Sequence, residues 1–203
     1  MKITRKDGDN GASAGHIAAM KKIVLTFGLL SGFFLAAMMA IMMPLGMSGR
    51  VDFSSMEVVG YTSMVAAFLA VFFAIRSYRE QVGGGVITFG RAFKVGMLVT
   101  LICGAIYVIA WQIIYWGFIP DFEEKYAALT LEQLRASGAA PAEVAAETRK
   151  MEDFKRLYKN PLFNIGMTFM EVVPVGLIMT LISAAILRRK QTPGIRPGAS
   201  VAA

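Results

Sequence analysis

The chain has one cysteine and one histidine, and that scarcity removes whole classes of chemistry before any motif is considered. Cys103 lies in the middle of an apolar run, so the chain supports neither a disulfide framework nor a set of thiolate metal ligands. It reads as a small buried hydrophobe. His16 sits in a polar Gly/Ala/Ser tail, and without a second histidine a His-based metal site or a catalytic triad lacks material within one chain. No metal and no cofactor is implied. Charge is scarce as well: 17% of the 203 residues are charged against 56% hydrophobic, and mean hydropathy is +0.55. Such a composition lies outside the soluble range and excludes water as the only solvent.

The charge that is present is basic, +7 with a pI near 9.7. The 21 Lys and Arg residues flank apolar runs and are not interleaved with aromatics on a polar segment, so they indicate membrane orientation and no nucleic-acid partner.

Four runs are long enough to cross a hydrocarbon core of about 30 Å, which takes roughly 20 helical residues. They are 23–45, 58–75, 95–119 and 163–187. The expected fold is all-α: an integral membrane four-helix bundle (21–190) with an extracytoplasmic helical hairpin (121–160) between helices three and four. Residues 1–20 and 191–203 are expected to be disordered, and Met20-Lys21-Lys22 resembles a true start, which would make the first residues an extension. The first run is too long for a signal-peptide core and no small-x-small site closes it, so it reads as an uncleaved helix ending near Pro44.

Orientation follows from the positive-inside rule. Lys2, Arg5, Lys6, Lys21 and Lys22 precede helix one; Arg76, Arg79, Arg91 and Lys94 lie between helices two and three; Arg188, Arg189, Lys190 and Arg196 follow helix four. The loop at 46–57 has only Arg50 against Asp52 and Glu57, and the seven basic residues of 120–161 are offset by eight acidic ones. Both termini are therefore expected in the cytoplasm of a multi-pass inner-membrane protein. Trp111, Tyr115 and Trp116 toward the outer end of helix three suit an interfacial aromatic belt.

Within 121–160, Thr130 and Gln133 have the spacing of a capping box, Gly138 suits a helix stop and Pro141 the first turn of a second helix. Val144, Met151, Phe154 and Tyr158 form a stripe on that helix; the first hairpin helix, the membrane surface and a partner are all open as its counterpart. Asn160-Pro161 reads as the N-cap and first turn of helix four. No internal repeat is visible, so an inverted-repeat transporter is not supported.

Gly85 to Ala92 has P-loop glycine spacing, but Arg91 and Ala92 stand where Lys and Ser or Thr are required, and no strand precedes it. A Gly83-Gly84-Gly85 turn leading to an interfacial helix is expected, with Phe89 and Phe93 in lipid and Arg91 and Lys94 at headgroups. Small residues recur every four positions: Gly28, Gly32, Ala36 and Ala40 in helix one; Ala66, Ala70 and Ala74 in helix two; Gly96, Thr100 and Gly104 in helix three; Gly176, Thr180 and Ala184 in helix four. Such faces let backbones approach where lipid provides little hydrophobic drive, within one chain or between two copies.

Glu171, beside Pro174, is the candidate buried polar residue. An ionised carboxyl at membrane depth costs several kcal/mol, so Glu171 should face the protein interior or a wet cavity. Gln112 on antiparallel helix three is expected at similar depth, close enough to hydrogen-bond it. Pro174 should kink helix four and free the Met170 carbonyl. Both a packing role and a proton- or ligand-linked role fit these residues.

The chain resembles the bacterial membrane family called domain of unknown function 4199. The likeness is carried by Val86 to Gly96, by Pro120-Asp121-Phe122, and by Glu171 to Gly176 continuing through Leu181 to Lys190, and it spans roughly residues 22–190. It implies a four-helix membrane fold without an assigned activity, and transfers no catalytic residue. Ala140 precedes Pro141 where that family often has a polar cap, which leaves the second hairpin helix prone to fray.

Two functions follow as expectations. One is a non-enzymatic accessory or scaffold subunit in the lipid bilayer, as a homo-oligomer or with another membrane protein, whose hairpin stripe meets a partner. The other is a small transporter or channel subunit with Glu171 as a protonatable site. An enzyme would need convergent groups that a membrane inventory of Glu171, Gln112, Tyr107, Asn164 and a few hydroxyls does not supply.

Overall fold

A computed structural model describes residues 6–48, 50–51 and 53–189. Six helices follow in order: α1 Lys6–Met47, α2 Phe53–Gln81, α3 Phe89–Phe118, α4 Phe122–Ala136, α5 Pro141–Tyr158 and α6 Pro161–Leu187. Four of them, α1, α2, α3 and α6, contain segments long and apolar enough to cross a membrane: Gly15–Met47, Ser55–Gln81, Phe89–Phe118 and Pro161–Leu187. No strand forms among the described residues.

The helices outrun the apolar runs that identify them. Once an apolar segment has nucleated a helix, each further residue adds a hydrogen bond, so the helix propagates into neighbouring polar sequence. This corrects the expectation for residues 6–20, which belong to α1; residues 1–5 and 190–203 lie outside the described residues. α1 ends at Met47, near Pro44 as expected, and the Pro44 carbonyl accepts from Ser48 N at 3.0 Å.

The same correction applies before α3. No separate interfacial helix forms; α3 starts at Phe89, with the Thr88 side chain accepting from Arg91 N at 3.4 Å as its N-cap. Gly84 and Gly85 have φ of +58° and +86°, a backbone that side chains disfavour, and this reverses the chain after α2. Ile87 then exchanges backbone hydrogen bonds of 3.2 and 3.0 Å with Arg189, tying this loop to the end of α6. The P-loop-like spacing is thus occupied by a cap and a bridge.

Around the bundle, α1 packs on α2 and α3, and α6 packs on α2 and α3, so α1 and α6 stand on opposite sides. Side chains such as Leu30, Phe33, Ile109, Ile113, Met170 and Ile186 point outward and are 59–71% exposed, as in a bundle whose solvent is lipid.

Small residues set the spacing. A methyl group on Gly28 would lie 2.8 Å from Ile102, and one on Gly32 would lie 2.7 Å from Ile106, so α1 and α3 touch there. A methyl on Gly96 would meet Thr180 at 2.7 Å and Val71 at 3.0 Å, and one on Gly176 would meet Thr100 and Phe68. At that level α2, α3 and α6 are in close contact. Gly104 is looser, 3.6 Å from Phe169 by the same measure. Ala36 is half-buried.

Between α3 and α6, α4 and α5 pack on each other. Thr130 does not open a helix: it lies inside α4 and donates to Tyr126 O at 2.9 Å, while α4 begins at Phe122. Gly138, with φ +79°, makes the turn, and Pro141 opens α5. Ala140 has no capping side chain, but its N–H donates to Glu143 Oε2 at 3.1 Å, which caps that end in part. Asn160 accepts from Leu162 N at 3.0 Å and caps α6.

Candidate functional site

The α3–α6 seam is an antiparallel ladder of polar contacts. Thr100 and Thr180 hydroxyls lie 3.2 Å apart, Tyr107 donates to Glu171 Oε1 at 3.5 Å, and Gln112 and Trp111 donate to Asn164 Oδ1 at 2.7 and 3.1 Å. The register corrects the expected Gln112–Glu171 pair. Gln112 lies about 9 Å from the end of α3 whereas Glu171 lies about 15 Å from the start of α6, at 1.5 Å per residue. Gln112 therefore meets Asn164, and also accepts from Trp116 Nε1 at 3.1 Å, while Glu171 meets Tyr107 about a turn and a half deeper.

Glu171, expected to be buried, is exposed, and it also lines a cavity of about 140 Å³ that lies beyond the Gly176 level, toward the end where α1 finishes and α2 begins. Met38, Met39, Met42 and Met43 of α1 and Met56 and Met64 of α2 line it, with Tyr107 and Ser63 as its other polar side chains. No Lys, Arg or His lines the cavity. The Tyr107 contact is long for a hydroxyl and a carboxyl, so Glu171 keeps capacity for a further partner. Pro174 is exposed and lies inside α6 without ending it. Neither it nor Gln112 lines the cavity.

A second polar centre closes the end of α3. Trp111, Tyr115, Phe122, Tyr126, Phe154 and Tyr158 form a chain of ring contacts 4.9–6.0 Å apart. Beneath it Glu123, 1% exposed, accepts from the Tyr115 hydroxyl at 3.1 Å and has Lys159 Nζ at 3.7 Å. Phe154 and Tyr158 of the expected stripe are consumed here, against α4 and the end of α3. For these two residues the counterpart is inside the chain; Val144 and Met151 are half-buried.

The model of the family described as protein of unknown function (DUF4199) matches residues 26–189. The chain belongs to that family. Neither a curated protein nor a solved structure matches it.

Three features of this DUF4199 chain escaped the reading of its sequence. Glu123 is one acidic residue among many in a polar stretch, and only the return of α5 buries it. Asn164, fully buried, was noted as membrane polar material but not as the acceptor that joins α3 to α6; its Nδ2 has no hydrogen-bond partner among the described residues. The methionines did carry a signal, since Met38 and Met42, like Met39 and Met43, are four residues apart and share a helix face.

Proposed function

We propose that the protein is a non-enzymatic inner-membrane transporter or channel subunit in which Glu171 takes up and releases a proton or a small cationic ligand. The observation that carries this is Glu171 facing an open cavity with one long hydrogen bond and no basic residue beside it. A carboxylate used only for packing is expected to be closed in and fully partnered, because each unmet acceptor at membrane depth is costly. Positive residues at the ends of α2 and α6 and the start of α3 support cytoplasmic termini, an α4–α5 hairpin outside and a cavity in the outer half of the bundle. Four helices enclose little volume, which favours a homo-oligomer or a membrane partner around any complete path.

The accessory-subunit reading has less support, because Phe154 and Tyr158 of the stripe that would meet a partner pack on α4 and the end of α3. Proteoliposomes holding the purified protein test the choice. Flux driven by a pH gradient should appear with wild type and vanish with Glu171→Gln, while both proteins elute alike in detergent. Flux indifferent to pH and to this substitution would remove the transport reading.

A further inference from the structure

A proton site at Glu171 needs no particular wall, yet half of the residues lining this one are methionines. We infer that the cavity binds a soft monovalent metal ion, Cu(I) or its analogue Ag(I), through methionine sulfurs of α1 and α2, with Glu171 as the counter-charge. The inference rests on the preceding reading of Glu171 as the functional centre and names the ligand class.

The chemistry is one of matched deficits. Met38, Met39, Met42 and Met43 from α1 line one small space together with Met56 and Met64 from α2, the Met56 sulfur lying close to Gly46. Thioethers are soft donors that select Cu(I) over hard ions, but they carry no charge to neutralise a cation. Glu171 supplies a charge but has no cation to neutralise it. In a low-dielectric cavity each group lowers the cost of the other.

Alternative occupants fit less well. Ca²⁺ and Mg²⁺ need about six oxygen ligands, and the cavity offers only Glu171, Tyr107 and Ser63 side chains. Among the described residues no three His, Cys, Asp or Glu side chains come together to hold zinc. A volume of about 140 Å³ is below the roughly 300 Å³ or more that drug-sized organic ligands occupy. Methionines that merely fill irregular core space should close it; these surround space that stays open beside a carboxyl.

Buried Cys103 is the chain's single thiol, a stronger soft ligand than a thioether, and does not line the cavity, so Cys103→Ser is the background for the test. Full-length Cys103→Ser protein in detergent is titrated anaerobically with Ag(I), and with Cu(I) against a chromogenic chelator, and X-ray absorption identifies the ligand atoms. Saturable binding with sulfur ligation is expected. Met42→Leu, Met43→Leu and Met64→Leu combined, a substitution close in volume, should weaken affinity at least tenfold, on the order of losses seen when a metal site's supporting groups are removed. Glu171→Gln should weaken it while keeping sulfur ligation. No binding, or binding unchanged by the leucine substitutions in a protein that elutes as wild type, overturns the metal site. Proton-driven flux is measured without metal, so a failed metal titration leaves the Glu171 proton reading to be judged by its own experiment.

Discussion

Adding one methyl group at two glycines of α6 gives a direct test of how tightly this bundle is closed. Gly166 has open space around it, whereas a Cβ at Gly176 would sit 2.8 Å from Phe68 Cε1 and closer still to Thr100 Cγ2. Phe68 and Thr100 are both fully buried, so neither can swing aside. Gly→Ala in a helix gains backbone stability of about 1 kcal/mol wherever it is made, so that gain is common to both sites. The difference between the two variants then isolates the steric cost, which for a methyl forced into a packed core is about 1–3 kcal/mol. Unfolding in mixed micelles, followed by tryptophan fluorescence, should therefore place Gly176→Ala below Gly166→Ala by that amount, or roughly tenfold in the folding equilibrium per 1.4 kcal/mol. Equal stabilities would show that α2, α3 and α6 do not meet at this level.

Asn164→Ala should destabilise by about 1–3 kcal/mol in the same assay, since it strands the buried Trp111 N–H along with the Gln112 amide; a loss below half that range would mean another acceptor takes over. At the other polar centre, Glu123→Ala should cost more than Glu123→Gln, because glutamine keeps an acceptor for the Tyr115 hydroxyl, and thermal unfolding would order the two variants. Alkaline stability should depend on Tyr158, whose hydroxyl is held above the ordinary tyrosine range by burial. A raised folded-state pKa means the unfolded chain ionises first, so the contribution is complete below pH about 10 and is lost as pH rises above it. Tyr158→Phe should flatten that alkaline loss in a pH series of unfolding curves, and an unchanged slope would count against a buried hydroxyl.

The parts of this protein that were legible in its sequence are those set by local composition. Asn160-Pro161, Ala140-Pro141 and Gly138 mark helix ends because caps and left-handed turns are decided by a few adjacent residues. Thr130 with Gln133 was misleading for the same reason: the capping-box spacing is short and common, and the continuing hydrogen-bond ladder of α4 overrode it. Counting depth from apolar boundaries pairs Gln112 with Glu171, but those boundaries lie one and two residues from the ends of α3 and α6, nearly a turn of relative depth, and the packing of α3 on α6 sets the rest of the register. The stripe on α5 was visible by its period, but a period does not say which surface covers it.

The sequence alone marked four segments long and apolar enough to cross a membrane, because the cost of exposing about 20 apolar residues to water, or of placing unpaired backbone in hydrocarbon, depends on the segment and not on its neighbours. Tertiary structure decided what Glu171 faces. The register of α3 against α6 gave it Tyr107, and the pairing of α1 with α2 brought their methionines around a space beside it. Those are distances between residues far apart in the chain, and no local pattern encodes them.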